Sequence, residues 1–336
     1  MENNPISTQG VFEEQPVAPL ATDTFYPPKF VREKKAANVW LQSAVSLAAY
    51  LVLGYYIFNS YRMLLVITAI VFMHELGHFF AMKYYRYRDL GIFFIPLLGA
   101  YVSGTKREVS QRQSTVILLA GPLPGIILGV GFLLLEKYTN QSYYPFQVPL
   151  SLIATYLILL NLINLLPIYP LDGGQLLNRV FLDEDGVFSK IFMFVSIGLM
   201  CFAAWKVHYI LFIFPAIMLL RLRGDSQMNT LDKRIEESGI NADVSYEDLP
   251  DKDYWDMRKI VIEEHPDFKH LQAGPPFEYS EKEEKVMTTI QGLLHRHLIQ
   301  DVSIAGKIFI LLIWIAAIVS PWLIKMDFSA FSRFGF

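Results

Sequence analysis

One cysteine, Cys201, occurs in 336 residues. That excludes an intramolecular disulfide framework and a cysteine-built zinc cluster, and its place in an apolar run points to packing. Charge is scarce as well: Asp, Glu, Lys and Arg make up 18% of the chain, against about a quarter in soluble domains. Neither sign dominates. The formal net charge of −3 leaves no basic field of the kind nucleic-acid binding needs. Residues 1–38 lack the apolar core of a secretory leader and carry Pro5, Pro16, Pro19, Pro27 and Pro28. They read as a retained, disordered cytoplasmic tail.

What the chain does have is apolar length. Hydrophobic residues form 53% of it, and several runs exceed the roughly 18 residues that cross a bilayer. The pattern predicts spans near 39–58, 63–83, 114–135, 148–168, 188–204, 207–222 and 304–325. The fifth and sixth are short and separated only by Lys206 and its neighbours, so they read as two spans or as one broken hairpin. The expected fold is an all-α polytopic membrane protein of about six or seven transmembrane helices. Lys29, Arg32, Lys34 and Lys35 before the first span, and Lys83, Arg86, Arg88, Lys106, Arg107 and Arg112 after the second, put the N-terminus in the cytoplasm. Four regions follow: a tail at 1–38, a membrane core at 39–222, a cytoplasmic insert at 223–303, and a last helix with a short tail at 304–336.

Inside the second run stands His74-Glu75-Leu76-Gly77-His78, an H-E-x-x-H motif. On a helix, residues four apart share a face, so both imidazoles can hold one zinc ion. Glu75 beside them can act as general base on a zinc-bound water. Ionisable groups at membrane depth are costly, about 2.5–3.5 kcal/mol for an acidic residue at a helix centre, which disfavours a pair of packing histidines with a stray Glu.

Between the second and third spans, Ile92 to Ser103 is apolar but too short to cross. Pro96 and Gly99 break a helix, and the β-forming residues around them predict a short hairpin. At membrane depth such a strand must lie against protein or line a wet cavity. It reads as an interfacial loop or as an edge strand, with Gly99, Ala100, Tyr101, Val102 and Ser103 pairing with an unwound substrate.

From Gly224 to Gln300 there are 17 acidic and 9 basic residues, so the insert is acidic and offers a surface for a cytoplasmic regulator. Ser280-Glu281-Lys282-Glu283 has the pattern of a capping box. Val286, Ile290, Leu293, Leu294 and His297 recur at helical spacing. His295 and His297, two apart, do not share a helix face and read as surface residues.

Two histidines do not complete a catalytic zinc site; a third protein ligand is needed. The stretch Asn161 to Gln175 ends a helix at Pro167 and Pro170, and Gly173-Gly174 allow a tight turn. Asp172 emerges from that irregular backbone. Its carboxylate reads equally as a metal ligand and as a turn residue at the exit of a span.

His74-Glu75-Leu76-Gly77-His78 followed by Asn164-Leu165-Leu166-Pro167 and Leu171-Asp172-Gly173-Gly174 resembles the site-2 protease family of intramembrane metalloproteases, over roughly residues 60–180. The resemblance implies one Zn2+ per chain on His74, His78 and Asp172, Glu75 as base, and Asn164 helping to position substrate or stabilise the oxyanion. It implies hydrolysis of peptide bonds within or near transmembrane segments of other membrane proteins, with the bilayer as surroundings and no nucleic acid. Gly99–Ser103 matches the family's membrane-embedded hairpin, and Gly121-Pro122-Leu123-Pro124-Gly125 resembles its small-residue element, which allows close helix approach. Residues 136–147 are too short for an inserted PDZ domain, and 223–303 too short for paired CBS domains. The rival readings are a catalytically silent zinc-binding scaffold of the same family, a prenyl-protein peptidase with a Glu as third ligand, and a transporter with coincidental histidines.

Overall fold

A computed structural model of the chain describes residues 26–31, 38–58, 60–95, 99–106, 109–182, 186–206, 209–294, 298–324 and 326. The chain opens with α1 (Val39–Phe58) and α2 (Tyr61–Tyr84), followed by the hairpin β1 (Arg88–Ile95) and β2 (Gly99–Thr105). Next come α3 (Gln111–Ala120) and α4 (Pro122–Thr139), which meet at Gly121, then α5 (Leu150–Asn164) and the short α6 (Asp172–Leu176), prolonged by a π-helical turn. α7 (Val187–Lys206) leads through a 3-10 turn into α8 (Ile213–Ser238). α9 (Asp251–Glu264), α10 (Glu283–Leu293) and α11 (Ile304–Leu323) complete the described elements.

Among the described residues, five stretches are long and apolar enough to cross a membrane: Val39–Tyr56, Tyr61–Tyr84, Gln111–Thr139, Val187–Lys206 and Ile304–Leu323. The chain is a multi-pass integral membrane protein. α5, with 15 residues, is shorter than these. The apolar stretch expected at 207–222 is not a helix of its own. Its described part begins α8, which runs unbroken into the polar turns of the insert, because Gly224 alone does not stop a helix whose neighbours favour it.

The expected hairpin is present. β1 and β2 pair antiparallel with Ile92 opposite Val102 and Phe94 opposite Ala100. The inner face of β1 buries Ile92 and Phe94 against Tyr50 of α1 and Leu64 of α2. The Phe94 N–H points away from β2 and donates to Ser46 Oγ of α1 at 3.1 Å. α1 thereby closes the outer edge of β1, the usual remedy for unpaired strand groups. Pro96, like His295 and His297, lies outside the described residues.

The insert has its own core. Leu231 and Ile235 of α8 pack with Leu249, Tyr254, Trp255, Val261, Val286 and Ile290. At its centre Arg258 and Glu283, each 2% exposed in its side chain, form an ion pair at 2.8 Å. Glu283 also receives the Tyr254 hydroxyl at 2.5 Å and the Ser280 N–H at 3.0 Å, the latter being one arm of a capping box. Burial alone would raise the Glu283 pKa. The hydrogen bonds from Arg258, Ser280 and Tyr254 outweigh it and hold the carboxyl below its ordinary value of 4.5. A depressed carboxyl contributes stability above its unfolded pKa and loses it as pH falls through the folded value. The insert is therefore expected to melt at progressively lower temperature as pH drops below about 4. Glu283→Gln should remove that part of the pH slope and lower the melting temperature at pH 7, since it weakens the pairing of a buried guanidinium. Thermal melts followed by Trp255 fluorescence across pH check both.

Candidate metal centre

α2 sets the first two groups. His74 and His78 stand one turn apart, both buried, with ring centroids 4.7 Å apart. Each ring has its Nδ1 on an oxygen acceptor. His74 Nδ1 meets Asn161 Oδ1 of α5 at 2.7 Å, and His78 Nδ1 meets the Ile117 carbonyl of α3 at 2.8 Å. An acceptor on Nδ1 places the hydrogen there and leaves the lone pair on Nε2. The two Nε2 atoms face one another at 3.0 Å.

The third group comes from the broken end of α5. Beyond Leu165 the backbone passes Pro167 and the cis Tyr169–Pro170 peptide before α6 starts at Asp172. Asp172 Oδ2 lies 3.1 Å from His74 Nε2 and 3.3 Å from His78 Nε2. It is buried and has no hydrogen-bond donor among the described atoms. With the ring hydrogens on Nδ1, three lone-pair atoms converge in one buried space. Such a cluster is stable when a cation sits at its focus. Two imidazole nitrogens and one carboxylate oxygen are a donor set suited to zinc, with a fourth position open. His74, His78 and Asp172 fit the metal that the motif suggests.

Glu75 is buried beside them, and the Val102 backbone N–H of β2 is directed towards its carboxylate. Val102 is opposite Ile92, in the same ladder phase as Phe94 and Ala100. In an antiparallel pair that phase turns the N–H of both partners outward. The outer edge of β2 therefore faces the histidine helix. Gly99 closes the register opposite Ile95, and Tyr101 stacks on Phe93 at 5.5 Å and is half exposed. Ala100 and Val102 pack against the cluster of Tyr50, Leu64, Ile92 and Phe94, and Ser103 lies opposite Gly91. Asn164, by contrast, turns its amide back on its own helix, donating to the Leu160 carbonyl at 3.2 Å.

Close approach makes the arrangement feasible. A Cβ on Gly121 would run into both imidazoles, and one on Gly125 would overlap the Asn161 amide. The break between α5 and α6 frees backbone groups, and side chains from other helices take them up. Trp314 Nε1 of α11 donates to the Leu165 carbonyl at 2.8 Å, and the Tyr169 N–H donates to Ser196 Oγ of α7 at 3.1 Å. Asn161, Trp314 and Ser196 were not singled out from sequence. Asn161 left a trace there, an amide in an apolar helix one turn before Asn164. Trp314 and Ser196 left none, since their partners are backbone atoms distant in the chain.

Asn161 orients His74, so Asn161→Leu should weaken zinc binding by about 10–100-fold while the chain stays folded. Gly121→Val should cost at least as much, through the rings it displaces. Metal titration of the purified variants against a competing chelator measures both; an unchanged affinity in Asn161→Leu would remove its positioning role.

Comparison with known proteins gives a consistent assignment. The family described as Peptidase family M50 matches residues 62–147, which include the whole H-E-x-x-H motif. Zinc metalloprotease MJ0392 of Methanocaldococcus jannaschii is 25% identical over 233 residues, covering 66% of this chain and 64% of the relative. Stage IV sporulation protein FB of Bacillus subtilis is 28% identical over 154 residues, covering 46% of this chain and 52% of the relative. The chain thus spans less than two thirds of the length of either relative. A solved site-2 protease from Methanocaldococcus jannaschii superposes with a TM-score of 0.39 at 21% identity, over 53% of this chain and 84% of that one. Over residues 62–147, which hold the H-E-x-x-H motif, the chain is similar to peptidase family M50.

Proposed function

We propose that the protein is an intramembrane zinc metalloprotease that hydrolyses peptide bonds in or near transmembrane segments of other membrane proteins. The observation that carries this reading is the convergence of His74 Nε2, His78 Nε2 and Asp172 Oδ2 within 3.3 Å of one another, beside a buried Glu75. A zinc ion bound there supplies Lewis acidity, which lowers the pKa of water and polarises a carbonyl.

The remaining work falls to the chain. Glu75 accepts a proton from the attacking water and returns it to the leaving amine nitrogen. The Val102 N–H is directed towards the carboxylate that does this. A substrate helix is closed to attack by its own hydrogen bonds and must first unwind. The outer edge of β2, across Gly99–Ser103, offers new main-chain partners for the unwound segment and lowers that cost. Asn164 has a second amide hydrogen beyond the one on Leu160, and we assign it to the substrate carbonyl oxygen.

The same reading places the N-terminus and the insert in the cytoplasm. Residues 26–31 pack on the insert, and Gln111 at the start of α3 donates to the Ile299 carbonyl beyond it. These contacts support one side of the membrane for all three segments, in keeping with the Lys and Arg pattern.

Glu75→Gln should lower cleavage of a transmembrane substrate by about 10²–10⁴-fold with zinc still bound. Asp172→Asn should lose both. Proteomic comparison of membranes carrying wild type or Glu75→Gln identifies accumulating substrates, and metal analysis of both variants separates base from ligand. Zinc retained without any cleavage by the wild type would favour the silent scaffold instead.

A further inference from the structure

The insert carries a groove that nothing in the metal centre uses. Its floor is aromatic: Trp255 and Tyr279 stack at 5.7 Å with their planes 12° apart, and Phe277 meets Trp255 at 5.1 Å. In it lies Tyr26-Pro27-Pro28-Lys29-Phe30-Val31, a segment with no helix or strand of its own. The insert grips the main chain of this segment with side chains. Trp255 Nε1 donates to the Pro27 carbonyl at 2.7 Å, the Tyr279 hydroxyl to the Pro28 carbonyl, and the Tyr246 hydroxyl to the Phe30 carbonyl at 2.6 Å. Asp251 Oδ1 accepts the Lys29 N–H at 2.8 Å.

Side chains of the segment are read as well. Tyr26 packs on Phe277 at 5.2 Å, and Phe30 meets Tyr279 edge-on at 5.4 Å. Lys29 Nζ donates to the Glu247 and Leu249 carbonyls at 2.7 Å each, with the Tyr246 ring 5.8 Å away. This is the chemistry of proline-peptide recognition. Indole and phenol donors take exposed carbonyls, aromatic faces take the flanking rings, and two prolines preset an extended backbone that loses little entropy on docking.

We propose that the insert is a peptide-recognition module for extended aromatic-Pro-Pro-Lys-aromatic segments, and that residues 26–31 are its tethered, exchangeable ligand. The partner it fits is a segment of another protein with that pattern, which displaces the chain's own. The tether gives the internal segment a local concentration of order millimolar, so a competitor must bind tightly or be presented at high local density. The insert is acidic, with 17 acidic against 9 basic residues from Gly224 to Gln300, which favours a basic incoming segment.

The test uses the full chain in nanodiscs and a fluorescent peptide of residues 24–33. In a variant carrying Pro27→Ala, Pro28→Ala and Phe30→Ala, the peptide should bind saturably, and about tenfold or more tighter than to wild type, where the tethered segment competes. Tyr246→Phe with Tyr279→Phe in that background should weaken it at least about fivefold, as two hydrogen bonds are lost. If the emptied variant melts cooperatively and takes no peptide, the segment is a permanent part of the core and the proposal fails. A second measurement covers a variant that does not fold. An isotope-labelled peptide in excess over wild type should accelerate hydrogen exchange at the Lys29 and Phe30 amides of the chain. Unchanged exchange at saturating peptide overturns exchangeability.

Discussion

Three buried lone-pair atoms aimed at one point are the constraint on which the rest of this membrane core depends. Nothing in an apolar bundle favours bringing His74, His78 and Asp172 together without a cation, because each is desolvated and none donates to another. The surrounding helices are built to hold that cost. α5 supplies an amide that both receives His74 and is fixed by its own bond to the Leu157 carbonyl at 2.7 Å. α3 supplies a main-chain carbonyl to His78, and glycine at 121 lets that helix pass against the rings. Removing a ring-orienting partner would leave a ring free to turn, and a turned ring carries its lone pair away from the focus.

The carboxylate imposes a second cost. Asp172 can reach the histidines only from irregular backbone, and irregular backbone inside a membrane needs partners for each freed N–H and C=O. Trp314 and Ser196 serve the Leu165 carbonyl and the Tyr169 N–H from helices that contribute nothing to the metal itself. This gives the last span a physical reason to exist. Its buried residues Ile310, Trp314 and Ala317 pack with Leu165 and Leu176 on either side of the turn that presents Asp172. α11 thus braces the metal centre from outside it.

Much of this was legible in the sequence, for reasons that are local. The i,i+4 histidines, the Pro-broken helix before Asp172 and the β-forming run ending at Ser103 are patterns of neighbours, and neighbours are what periodicity reports. The helix end beyond the 207–222 stretch has no such signal, because hydropathy marks where a segment is apolar and not where its helix ends; α8 continues for sixteen residues past Leu222. The orienting role of Asn161 was hidden by Asn164, which carries the family pattern while its amide bonds its own helix. Contacts such as Trp314 with Leu165, 149 residues apart, have no local signature. The docking of residues 26–31 was hidden in the same way: a proline-rich tail of low hydrophobicity reads as disordered until its aromatic partners fold from the other end of the chain.

The docked segment lies close in the chain to the first helix. Seven residues, 32–38, join the groove to α1, a span of about 25 Å at most when fully extended. While Phe30 is held by Tyr246, the start of α1 cannot move far from the insert. α1 in turn closes β1 through Ser46 and Phe94 and packs Tyr50 against the hairpin. With the outer edge of β1 closed, the proposed pairing with an extended substrate falls to the β2 edge, on the side of the histidine helix. α1 and the hairpin thus form a continuous set of contacts beside Glu75.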